Sequence, residues 1–363
     1  MDSTTPGLSF IGIVDFSEQA KWLFMTNSVA DLLGYEPHEL IGRPSLELVH
    51  PDEFSRTKQL HYDTIKQDKA AVLVYLRMKH KIPSRGYILC GISRTVVHNV
   101  LVGSVSFANP GKAMHNASTA QEITVISPSA TNFQFKRWHD PSPISPTNGP
   151  SNLPSPPSPS SSWHSRSPRS PGGSSSDSEE RTPLPELRRQ DTISFDHLPN
   201  QSLRTLFILD RFSSRGTIMY CSNDYLVTTL SAMTRSFFDF VHEKDESTVR
   251  SWIDCVKGWG VNELGQPSDG GFGFGRFVLL TKGRDSNVRL PEPSAPSSRH
   301  KGARNRASRS HHRDVGRHTH LPPVRTHVSS LPLPEGPSPQ VPVDAIFSAH
   351  SDGLMVILRR SEQ

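Results

Sequence analysis

The stretch LGYEPHELIGRPSLELVHPDE, Leu33 to Glu53, sets the tightest limits on how this chain folds, because two glycines and three prolines fall within 21 residues. No long helix survives such punctuation: proline lacks the amide an interior turn needs, and glycine favours the left-handed stop. The run therefore predicts several short helices. Asn27 or Ser28 caps one through VADLL, which Gly34 ends, and Glu36-Pro37 starts a second, which Gly42 ends. Leu46 to Val49 makes a third turn. Pro51-Asp52-Glu53 then starts a longer helix reaching about Gln67, with its acidic residues at the positive end of the helix dipole.

Strand-like runs flank these helices. SFIGIVDF and WLFMTN precede them, joined by the polar SEQAK, while AAVLVYLRMKHK, GYILCGISRTVVH and VLVGSVSFA follow, separated by IPSRG and HN. Leu8 to Ala108 thus reads as two strands, three or four short helices and a three-stranded meander. A five-stranded antiparallel sheet with helices across one face accounts for that order.

Both the order and the residues Leu33-Gly34-Tyr35, Glu39-Leu40-Ile41-Gly42 and Val49-His50-Pro51-Asp52-Glu53 resemble the PAS domain, whose members often carry an LGY, ELIG, VHPDD run at this place. The resemblance implies a sensor, dimerisation or relay module. It also implies an α+β fold class for the whole chain, because a second, weaker copy follows: DRFSSRGTIMYCSNDYLVTTL parallels DFSEQAKWLFMTNSVADLL, and Val241-His242 matches Val49-His50. The second copy lacks the Gly-Tyr and Glu-Leu-Ile-Gly runs, so whether it keeps a pocket is left open. The expected organisation is a PAS domain at 8–110, a disordered Ser/Pro-rich linker at 111–200, a second PAS-like domain at 201–284, a basic disordered insertion at 285–340 and its last strands at 341–363.

Composition supports the two linkers. Residues 141–176 hold ten Pro and fourteen Ser, leaving little to bury against the entropy cost of ordering. The net charge of +5 is local, since Ser298 to His327 carries eight Lys or Arg against Asp314 alone. That excludes a uniformly basic nucleic-acid binder and marks the basic stretch as an import segment or a nonspecific nucleic-acid contact. The three cysteines, Cys90, Cys221 and Cys255, stand far apart, so neither a disulfide framework nor a four-ligand zinc finger is expected. No apolar run reaches the roughly 18 residues of a membrane span, and MDSTTPGLSF lacks the pattern of a signal peptide. The expectation is nucleus and/or cytoplasm, with no membrane partner.

Enzymatic chemistry finds no nucleophile-base pair, metal-ligand spacing or phosphate-cradling loop, and DGGFGFGRF reads as a turn before a strand. Some PAS domains bind flavin and form a light-driven adduct with it through a cysteine in a Gly-Arg-Asn-Cys run. Here Gly42-Arg43-Pro44-Ser45 puts Ser45 at the thiol's place, so the resemblance implies no flavin adduct. Haem in such folds hangs on a helix histidine, and His61, between Lys58 and Asp63, reads as part of a solvated face. His50 reads as a cap and Cys90 as a buried small hydrophobe, with Ser45 and Cys90 the two weak pocket candidates. No cofactor and no metal is expected.

LMVIL, near the C-terminus, is apolar on both faces: Leu354, Val356 and Leu358 on one, Met355 and Ile357 on the other. A strand apolar on both sides must be covered on both. Packing of the two domains on each other would serve, but the expectation taken from Met355 and Ile357 is a protein partner or homodimer. In the linker, Ser142, Ser145, Ser155, Ser158, Ser167, Ser170 and Thr182 each precede proline and are candidates for proline-directed phosphorylation. The combined expectation is a non-enzymatic regulator of signalling or transcription, similar to fungal PAS regulators of the white-collar type and acting by protein association. The alternative is a sensor whose first-domain pocket takes a small molecule or a cofactor such as flavin or haem.

Overall fold

The computed structural model describes residues 8–108, 110, 118–137, 140–143, 193–261, 269–284 and 339–362. The first domain runs β1 (Ser9–Asp15), β2 (Trp22–Met25), α1 (Val29–Leu33), α2 (Pro37–Leu40), 3-10 turns at Ser45–Leu48 and Pro51–Glu53, α3 (Phe54–Lys66), β3 (Val72–Lys79), β4 (Tyr87–Val97) and β5 (Val100–Phe107). The punctuation acts as its residue types require. Gly34 and Gly42 adopt φ of 81° and 83°, the left-handed conformation in which a side chain is strained. The His50 ring accepts from the Asp52 amide at 3.2 Å, which caps the turn leading into α3.

The first sheet has six strands rather than five, in the order β2-β1-β5-β4-β3-β6. Its extra strand, β6 (Glu122–Val125), pairs parallel to β3 with Val72 opposite Glu122 and Tyr75 opposite Val125. This corrects the expectation of a disordered linker from 111 onward. QEITVI alternates apolar and polar residues, and Ile123, Val125, Phe133 and Phe135 pack over the face that the helices leave open. Tyr75 stands between the rings of Phe133 and Phe135 at 5.5 and 5.6 Å. A short ribbon of β7 (Lys136–Arg137) and β8 (Asp140–Pro143) follows, and Ser142 lies in it. Ser145, Ser155, Ser158, Ser167, Ser170, Thr182 and the basic stretch 298–327 lie outside the described residues.

The second domain comprises β9 (Arg204–Leu209), β10 (Ile218–Cys221), α4 (Thr229–Ala232), a 3-10 turn at Phe237–Phe240, α5 (Glu243–Trp259), β11 (Gly273–Leu280), β12 (Gln340–Ala349) and β13 (Leu354–Arg360). Its strand order, β10-β9-β13-β12-β11, repeats β2-β1-β5-β4-β3. Local details repeat too. His242 accepts from the Lys244 amide as His50 does from Asp52, and the bridge Val241–Leu279 matches Val49–Met78. The glycine-rich run is not a turn throughout, since Gly273 and Phe274 already belong to β11 and pair with Phe347 and Ile346.

Three apolar cores result. One lies between the first sheet and its helices, and a second between the second sheet and its helices. The third lies between the two sheets, where Ile11, Ile13, Leu73, Tyr75 and Val102 meet Leu206, Ile208, Ile346, Met355 and Ile357. Met355 and Ile357 are therefore covered by the first domain of the same chain, which corrects the expectation that they face an outside partner. Burying each of these aliphatic side chains contributes about 1.5–3 kcal/mol. Polar contacts fix the register of the two sheets. Arg204 reaches both carboxylate oxygens of Asp68, at 2.7 and 3.1 Å, Ser9 and Ser351 exchange amide-hydroxyl bonds, and the rings of Phe24 and Tyr220 stack at 5.2 Å. Among the described residues, no helix is long and apolar enough to cross a membrane.

Candidate ligand cavity in the first domain

Alternation along the strands decides what lies beneath the helices of each sheet. In the first domain the residues paired across the sheet at mid-height are Met25, Gly12, Gly103, Arg94 and Val72. Two adjacent strands thus present glycine where a side chain would fill the interior. A Cβ at Gly12 would meet the Trp22 ring, and one at Gly103 would collide with the Ser93 carbonyl, so neither position accepts a larger residue without a shift. Above this floor lies a cavity of about 80 Å³, lined among others by Trp22, Ser45, Thr57, His61, Leu76 and Arg94.

His61 is fully buried, not on a solvated face. Lys58 and Asp63 are half-buried, but Thr57, His61, Thr64 and Ile65 form the buried stripe of α3. The His61 Nδ1 accepts from Arg94 Nη2 at 3.1 Å, so Nε2 carries the proton and donates to the Ser17 carbonyl at 3.1 Å. Burial, reinforced by the neighbouring guanidinium, pushes the imidazole down to about 3, and it is neutral at ordinary pH. Phe195, from the segment that leads into the second domain, stacks on the His61 ring at 5.6 Å.

Arg94 is 8% exposed and sits on the helix-facing side of β4 between Ile92 and Val96. Burial lowers its guanidinium to about 10, which still leaves it charged. Its Nη1 has no hydrogen-bond partner, and neither does the indole N–H of Trp22, another residue that lines the cavity. No carboxylate among the described residues forms an ion pair with Arg94. The nearby Asp15 spends its Oδ1 on the amides of Ser17 and Lys21. The cavity therefore holds one uncompensated positive charge and two unpaired donors within largely apolar walls.

Of the two pocket candidates read from sequence, Ser45 lines the cavity and Cys90 does not. Cys90 lies fully buried in the adjoining core, where loss of solvent pushes its thiol up to about 12. Flavin and haem do not fit: ligand sites of that kind occupy roughly 300–1,000 Å³, and both His61 ring nitrogens are already engaged. Sequence reasoning missed Arg94 and Trp22 as well as the burial of His61. One signal was available, since the alternation of GYILCGISRTVV puts Arg94 on the same face as Cys90, Ile92 and Val96.

In the second domain the equivalent row is Cys221, Phe207, Val356, Phe347 and Gly273. Phe207 replaces Gly12, Val356 replaces Gly103 and Phe347 replaces Arg94. The matching bridges Lys21–Pro44 and Thr217–Ser236 likewise put Phe237 at the place of Ser45. His61 and Ile253 each stand eleven residues beyond their capping histidines. All five substitutes are buried, and Phe207 and Phe237 are in ring contact at 5.9 Å.

The PAS fold family matches residues 23–97. The chain thus carries a PAS-fold domain, a generic module of signalling and sensing. No curated protein matches the chain. Similar solved structures include the PAS domain of the Cronobacter turicensis RpfR quorum-sensing receptor in complex with BDSF, at 17% identity and a TM-score of 0.25, covering 30% of this chain and 99% of that one. Drosophila melanogaster Cycle PAS-B with bound ethylene glycol is 17% identical at a TM-score of 0.24, over 27% of this chain and 99% of that one. The N-terminal domain of a diguanylate cyclase with a PAS/PAC sensor from Marinobacter aquaeolei is 12% identical at 0.23, over 27% and 92%. These likenesses are too distant for any neighbour's ligand to speak for this chain.

Proposed function

We propose that this protein is a non-enzymatic regulator of signalling or transcription in the nucleus and/or cytoplasm. It resembles the fungal white-collar kind of PAS protein and acts by association with other proteins. The observation that carries this reading is the filling of the second domain. At the place of the first domain's cavity its interior is packed with Phe207, Phe237 and Phe347, and its outer face is spent on the first domain; its own open space, about 180 Å³, is lined instead by Asp210, Ser213, Arg250 and Lys257, so the interior at the row of paired strands serves as a scaffold. Leu230 and Phe212, 91% and 70% exposed, are the most exposed of the large apolar side chains it offers to a partner. Phosphorylation of the Ser-Pro and Thr-Pro sites would adjust that association by adding negative charge able to pair with the basic stretch.

Light scattering on the full chain, with cross-linking in cells that make it, tests the reading. It expects a dimer or a specific partner lost on combining Leu230→Asp with Phe212→Asp. A monomer whose cross-linked set is unchanged by that double substitution overturns it.

A second reading, small-molecule sensing by the first domain, is favoured by the unpaired donors on the cavity wall. A ligand that binds one arrangement of the two docked domains better than another shifts the population between them.

A further inference from the structure

We propose that the first-domain cavity is an anion subsite for a short monocarboxylate, held by Arg94 and Trp22. The proposal rests on the sensing reading and adds to it the charge, size and anchoring groups of the ligand. Three observations converge on it.

The first is charge. A buried guanidinium that lacks a carboxylate is costly, because desolvation is not offset by an ion pair. Arg94 is 8% exposed, and its single strong contact is to a neutral imidazole. His61 cannot supply the missing negative charge. It does orient the guanidinium, by accepting from Nη2 while Ser17 holds the other side of the ring.

The second is the kind of atom left over. The two lining residues that hold an unpartnered buried atom, Arg94 at Nη1 and Trp22 at Nε1, each leave a donor. Three of the hydroxyls nearby are engaged, since Thr57 donates to the Glu53 carbonyl and Ser93 and Ser104 bond each other at 2.7 Å. Two donors without acceptors match the two oxygens of a carboxylate, and a charge-assisted bond is the stronger kind.

The third is size and lining. An apolar cavity of ~150 Å³ takes a ligand as large as benzene. The space here, about 80 Å³, is roughly half of that and restricts the occupant to fewer heavy atoms than benzene. The walls of Leu76, Leu101 and Val105 suit a short alkyl tail. A doubly charged phosphate would exceed the single positive charge, and the apolar walls would not solvate it.

Calorimetric titration and thermal melting of the full chain with propionate, propionamide and inorganic phosphate decide the matter. Propionate is expected to bind and raise the melting temperature, with propionamide and phosphate at least tenfold weaker. Trp22→Phe, which keeps an aromatic ring but removes the N–H, should weaken propionate about tenfold, and Arg94→Met by about 10- to 100-fold. Equal binding of propionate and propionamide, or propionate affinity unchanged in both variants, overturns the anion subsite and leaves sensing of a neutral ligand intact. Absence of any propionate effect at tens of millimolar also overturns it. Native mass spectrometry of the purified chain then judges the wider sensing reading separately, by whether another small molecule travels with it.

Discussion

The two domains share one wiring of strands and differ in what stands at the same five positions. The first has Gly12, Gly103, Arg94, Ser45 and His61; the second has Phe207, Val356, Phe347, Phe237 and Ile253. Backbone topology therefore does not decide whether such a fold is hollow. Side-chain volume at a few inward positions does, and so does the choice to bury a cation where the other copy buries a ring. At these five positions the first domain gives up packing and electrostatic stability, and the second recovers both.

The sharpest way to break this contrast is to hollow the second domain. Phe207→Ala should cost about 3–5 kcal/mol, as expected for a large aromatic removed from a close-packed core. Urea denaturation followed by tryptophan fluorescence measures it, and a loss below about 1 kcal/mol would mean the ring is not tightly packed. The converse change has the opposite sign. Arg94→Met replaces a buried unpaired cation with an apolar chain of similar length, and should raise the stability of the ligand-free protein by about 1–4 kcal/mol. If it destabilises instead, Arg94 holds the fold and the two domains are more alike than their interiors suggest.

Acid should separate the domains further. The His61 imidazole titrates at about 3 in the folded protein, against the usual value near 6.5. Its neutral, buried state therefore contributes fully above pH 6.5, and stability falls as pH drops toward 3, by roughly 1 kcal/mol per unit. His61→Gln should flatten that acid limb in a series of denaturation curves. Ile253, its counterpart, adds no such slope. The smallest effect belongs to the contact between domains: Tyr220→Leu should lose about 0.5–1.5 kcal/mol from the stack on Phe24. A double-mutant cycle with Phe24→Leu isolates that coupling.

Much of the first fold was legible because short-range chemistry wrote it. Gly34, Gly42, Pro37 and Pro51 determine where helices stop and start regardless of distant contacts, and the matched Val-His pairs exposed the second copy. Less of the site was legible. A buried helix face is normally found by its apolar residues, whereas the inward stripe of α3 reads Thr57, His61, Thr64, Ile65 and looks wettable. It faces Arg94 instead of a purely apolar core. The two apolar faces of LMVIL said that a cover exists but not which surface supplies it. Only the three-dimensional return of the chain brings Ile11 and Ile13 onto Met355 and Ile357. QEITVI was lost for another reason: one short strand beside a Ser/Pro-rich stretch carries too little periodicity to outweigh its surroundings.

Alternation along β1 places Phe10, Gly12 and Val14 toward the helices and Ile11 and Ile13 toward the second domain. The cavity floor and the contact between domains are thus opposite sides of one strand. Whatever lifts or flattens the backbone at Gly12 moves its neighbours in sequence by the same act. A message from the interior to the other domain would need no relay of side chains, because the wall itself is the wire.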